Sequence, residues 1–129
     1  MAQATAMART PVGRKLLWWG VLGGGIAWAV QLTVGYGLEE IACSSGSRGK
    51  HILGMSVPSS IYILSAAAAV VTLSAIAICI AAIRRGSGSD DHRDQRVVFM
   101  GITGLAANLL FLAIIVFGAI APLYLSSCH

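Results

Sequence analysis

The sequence predicts an all-α, polytopic membrane protein with three transmembrane helices in one small domain, residues 1–129. Three observations predict it. Apolar residues make up 57% of the chain and charged residues only 11%, whereas soluble domains carry about 25% charge. The apolar residues fall into three long runs, about 16–38, 57–83 and 97–125, none of which contains Asp, Glu, Lys, Arg or His. Lys and Arg are also distributed unevenly between the flanks. Arg9, Arg14, Lys15, Arg84, Arg85, Arg93 and Arg96 would share one side, and only Arg48 and Lys50 the other. Seven cations against two set the N-terminus inside and the C-terminus outside.

The first run, Leu16 to Leu38, rises ~1.5 Å per residue as a helix and so reaches roughly 34 Å, enough for a ~30 Å hydrocarbon core. Arg14 and Lys15 precede it, and Glu39 and Glu40 follow it. Trp18 and Trp19 at one end and Tyr36 at the other suit the two interfacial belts. Ala27-Trp28-Ala29 imitates a signal-peptide cleavage site, but the apolar run continues past Ala29, so a retained span is expected. Gly20, Gly24, Ala27, Gln31 and Gly35 step by four, three, four and four, which puts them on one helical face. Small residues on such a face let another backbone approach closely in lipid, so this stripe is read as a packing or partner interface.

An external loop, 39–56, leads to the second span. Pro58 suits the first turn of a helix, and Ser56 is placed to satisfy a free amide there. Ser65, Ala69, Thr72, Ile76 and Cys79 form a small and polar stripe along that span. Arg84 to Arg96 is read as a hydrophilic cytoplasmic loop, with Gly86 to Ser89 as a flexible connector. In the third span Gly101, Gly104, Asn108 and Ile115 mark one face, and Pro122 lies in the last turn, where a broken hydrogen bond is tolerated. That span exceeds the bilayer and is expected to tilt or protrude. The tail, residues 1–15, has no amphipathic period.

The net charge of +4 does not indicate nucleic-acid binding. The cations flank membrane spans, and no basic face with interleaved aromatics occurs. No phosphate-binding glycine loop, nucleophile elbow or zinc spacing is present, so no catalytic residue and no enzymatic activity is expected. Haem is not expected either. Covalent attachment needs Cys-x-x-Cys-His, and none of the spans holds an axial histidine. Gln31 and Asn108 are the clearest polar groups within the spans apart from hydroxyls. Interhelical hydrogen bonding accounts for them better than a proton or solute path does, because no ionisable residue accompanies them. Asp90, Asp91, His92, Arg93 and Asp94 resemble an acid/base or metal cluster, but local ion pairing in solvent is the simpler account.

The topology places Cys43 and Cys128 on the outer side and Cys79 near the inner side. If the outer side is a bacterial periplasm, a Cys43–Cys128 disulfide would tie the first helix to the third, and Cys79 would stay a reduced thiol. The competing reading gathers Cys43, His51, Met55, Cys128 and His129 around copper. Their spacing matches no ligand pattern, so no metal and no cofactor is expected, and a disulfide would exclude this site.

Ile26-Ala27-Trp28, Gln31-Leu32, Gly35-Tyr36 and Cys43, with a closing Pro122…Cys128, resemble small membrane proteins that accompany bacterial haem–copper cytochrome c oxidase and alternative complex III. The resemblance covers the first span and the extreme C-terminus. It implies an accessory subunit of the bacterial inner membrane that packs against redox subunits, carries no cofactor and takes no small-molecule substrate. Its partners would be the other membrane subunits and the lipid bilayer. A copper-handling assembly factor using the external Cys, His and Met residues is the alternative. A small oligomeric transporter around Gln31 and Asn108 is a third reading, weakened by the lack of charge within the spans.

Overall fold

The computed structural model describes residues 11–44, 51–52, 54–88 and 90–125. Three long helices and a minute hairpin follow one another: α1 (Pro11–Ser44), β1 (His51–Ile52), β2 (Met55–Ser56), α2 (Val57–Gly86) and α3 (His92–Tyr124). Each helix is long and apolar enough to cross a membrane. At ~1.5 Å per residue, 30 to 34 residues reach roughly 45–51 Å, well beyond a ~30 Å hydrocarbon core. In a bilayer their ends would protrude or the helices would tilt.

Contacts between helices fix their directions. Gly20 lies beside Cys79, and Gln31 bonds to Ser65, so α1 and α2 are antiparallel. Gly24 meets Asn108, and a Cβ on Gly118 would approach the Gln31 amide, so α1 and α3 run parallel. The start of α1, the end of α2 and the start of α3 thus share one end, with Arg14, Lys15, Arg84, Arg85, Arg93 and Arg96. Glu39 and Glu40 lie toward the other end.

The connections are shorter than the sequence suggests. The helix of α1 continues through Glu39 and Glu40 to Ser44, since extension adds a hydrogen bond for each residue fixed and this stretch holds neither Gly nor Pro. The rest of the expected external loop includes a hairpin in which His51 pairs with Ser56 and Ile52 with Met55. Gly54, at φ 77°, takes a left-handed turn position that a side chain would strain. Of the expected loop 84–96, Arg84 to Gly86 belongs to α2, and His92 onward belongs to α3. Gly86 is thus not part of a flexible connector. It is buried, and a Cβ there would run into Val98.

The helix caps also differ in detail. Ser56 occupies the N-cap of α2, yet its hydroxyl pairs with that of Ser59 at 2.7 Å and caps no amide. Asp91 caps α3 instead, accepting from the Arg93 amide at 3.3 Å, and Asp94 sits in the first turn. Carboxylates there complement the positive end of the helix dipole, which gives the 90–94 cluster a structural role.

The core is thin. Ala27, Ala68 and Ile115 form its centre, with Trp28, Ala69 and Val71 packed against it. Most of the surface of each helix faces outward. Phe99 is 70% exposed and Phe117 72%, an apolar exterior that suits lipid or another subunit and would be unfavourable in water.

Candidate functional site

The densest polar arrangement lies where all three helices meet around Asn108. This side chain is fully buried on α3. Its Oδ1 accepts from the Gly24 amide at 2.9 Å, and its Nδ2 donates to the Gly20 carbonyl. Gly20 and Gly24 are four residues apart, the pair that an α-helix joins by its own backbone hydrogen bond. The carboxamide of Asn108 therefore bridges the two groups in the manner of an added peptide unit. The Cys79 thiol of α2 donates to the same Gly20 carbonyl at 3.2 Å, and Asn108 Nδ2 lies 3.8 Å from Cys79 Sγ. One carbonyl thus collects donors from two other helices.

The glycines make this approach feasible. A Cβ on Gly24 would overlap the Asn108 amide. On Gly104 it would stand 2.9 Å from Cys79 Sγ and 3.3 Å from Val21 Cα. On Gly101 it would come within 3.2 Å of the Cys79 carbonyl. The face of α3 read from the sequence is also the buried one, since Gly101, Gly104, Asn108 and Ile115 are its buried residues. On α2, Ser65, Thr72, Ile76 and Cys79 are buried, and the Thr72 hydroxyl is turned back to the Ala68 carbonyl at 2.8 Å.

The sequence reading left open whether the α1 stripe packs within the chain or against a partner. Gly20, Gly24 and Ala27 face α2 and α3 of the same chain and are buried there. A face covered from within is not open to another subunit, so this part of the stripe serves the bundle itself. Gly35 differs, because nothing lies within 4 Å of the place its Cβ would take.

Beyond Ala27 the polar contacts thin out. Gln31 Nε2 donates to the Ser65 hydroxyl at 2.9 Å, while Gln31 Oε1 is buried with no hydrogen-bond partner among the described residues. A cleft of about 460 Å³ opens among the helices here, lined by residues of all three, including Trp28, Gln31, Gly35, Glu39, Leu64 and Gly118. Glycine contributes no side chain at two of these positions. Pro122, which also lines the cleft, has no N–H to offer the Gly118 carbonyl one turn back. Trp28 is held by Phe111, with ring centroids 5.6 Å apart.

The chemistry open to these groups is narrow. Cys79 is a free thiol but only 1% exposed, so no substrate reaches it. Among the described residues, no three or more His, Cys, Asp and Glu side chains gather as metal ligands. Cys43 is not free. Its expected partner Cys128, His129 and the side chain of His51 lie outside the described residues, as does the tail through Thr10. Met55 is exposed beside the hairpin turn.

Sequence reasoning did not anticipate the bridge between Asn108 and the Gly20–Gly24 pair, nor the role of Cys79 on that carbonyl. A glycine pair at i, i+4 on one span and an amide on another was the available signal. Nothing in the sequence says that they meet.

The chain matches no known protein family, no curated protein and no solved structure.

Proposed function

We propose that the chain is a non-catalytic accessory subunit of a bacterial respiratory membrane complex, either cytochrome c oxidase or alternative complex III. In this reading it spans the inner membrane three times, with the N-terminus inside and the C-terminus outside, and packs against redox subunits. A Cys43–Cys128 disulfide ties the outer ends of the first and third helices.

One observation carries the structural role. The polar groups at the bundle's centre are engaged in holding helices together: Asn108 on Gly20 and Gly24, Cys79 on Gly20, and Ser65 with Gln31. An interior organised this way presents no Asp, Glu, Lys, Arg or His for proton or solute transfer. The partner class rests on the likeness of the first span and the C-terminus to subunits that accompany those complexes. A copper-handling role would need free outer thiols, and Cys43 is not one.

Extraction in mild detergent tests the proposal. The chain should co-purify with a haem-containing complex, and its deletion should lower the yield of that complex. Recovery of the chain alone, with the complex assembled normally in the deletion strain, would contradict it.

A further inference from the structure

We propose that the cleft at the Glu39 end of the bundle is a lipid site, holding one acyl chain of a phospholipid with an amine headgroup. The inference rests on membrane insertion but not on the choice of partner complex.

The dimensions of the cleft select the occupant. It extends along α1 from Trp28 to Glu39, roughly 16 Å at the helical rise. That length matches the ~15 Å half-thickness of a hydrocarbon core, so the cleft runs about as deep as one leaflet. A cleft of about 460 Å³ over that length accepts one extended hydrocarbon chain along its apolar wall, and the carboxylate at its end favours a lipid headgroup over an apolar helix face.

The lining repeats the polarity of such a lipid. Trp28, Leu64 and Ile114 give the deep part an apolar wall. Glu39 and Tyr36 stand toward the mouth, where the headgroup would lie. A carboxylate at that place attracts an ammonium and repels an anionic headgroup. Gln31 also lines the cleft, with its Nε2 turned to Ser65 and its Oε1 buried.

Gly35 provides the test. Nothing lies within 4 Å of its Cβ position, so Gly35→Leu should leave the bundle folded while filling the cleft. Purified full-length chain in mild detergent would be mixed with phosphatidylethanolamine or phosphatidylglycerol, and the retained lipid measured by native mass spectrometry. The expected result is one retained phosphatidylethanolamine, held in preference to phosphatidylglycerol. Gly35→Leu should lower its retention about tenfold, the scale expected when an apolar site is overfilled. Glu39→Gln should keep a bound lipid but lose the headgroup preference. Equal retention by wild type and Gly35→Leu, with unchanged circular dichroism, would overturn the proposal. So would the absence of headgroup preference in the wild type, or a bound protein segment in place of lipid. Alkaline extraction of native membranes reports insertion separately, so a failure of that premise is distinguishable from a failure of the site.

Discussion

The two halves of this bundle solve the same packing problem in opposite ways. Near Asn108, glycines draw the three backbones together until one carboxamide and one thiol share a single carbonyl. Toward the Glu39 end, glycines at positions 35 and 118 line a cleft. The residue type is the same, and the outcome depends on what stands opposite. Gly24 and Gly104 face a side chain or backbone at close range, whereas Gly35 faces nothing within 4 Å. Small residues permit close approach, but a partner group must use the space. In lipid there is no hydrophobic drive to close a gap unaided.

The largest effect is expected from Gly104→Leu. A side chain there meets Cys79 Sγ and the Val21 backbone, so α1, α2 and α3 must separate. Overpacking of this kind costs about 3 kcal/mol or more, and a steric-trapping or denaturant titration in bicelles would report it.

Asn108→Leu should be milder, about 1–2 kcal/mol, on the scale of intramembrane hydrogen bonds. The loss is limited because the Gly20 carbonyl and Gly24 amide remain able to bond to each other within α1. The same titration checks this value. A loss far above that range would mean that Asn108 holds more than the helix pair.

Cys79→Ala removes a buried sulfur and one donor to Gly20, so about 1 kcal/mol is expected. Slow alkylation of Cys79 in the folded wild type, accelerated by Gly104→Leu, would show that the same contact seals the thiol.

Gln31→Leu should have the smallest effect, below about 1 kcal/mol. It loses the bond to Ser65 but also removes a buried acceptor with no partner among the described residues. A loss equal to that of Asn108→Leu would erase the distinction between the two halves.

The sequence showed where the helices run but not how they touch. Uninterrupted apolar runs are a strong signal because spanning lipid leaves few alternatives to a helix. The buried face of α3 was legible for a similar reason: Gly101, Gly104 and Asn108 are small or polar exceptions in an apolar background, and Ile115, seven residues beyond Asn108, falls on the same face. The direction of the α1 stripe was not. A glycine face is equally suited to a neighbour in the same chain or in another, and only the fold shows Gly20 and Gly24 covered from within. The Asn108 bridge joins residues 84 and 88 positions apart, a separation on which helical periodicity is silent. The loop limits were misjudged because charged stretches such as Arg93 to Arg96 continue a helix readily, although hydropathy ends at their border. The hairpin at His51–Ser56 has only two residues in each strand, too few for an alternating pattern to register.

Close contact around Asn108, rather than glycine content, sets where this bundle packs tightly. Paired measurements of unfolding free energy for Gly24→Ala and Gly35→Ala in the same lipid test it most directly. Each adds one methyl group to α1. A loss of about 1–3 kcal/mol is expected for Gly24→Ala, where the methyl displaces the Asn108 amide, and no loss for Gly35→Ala. Equal effects at the two positions would contradict it.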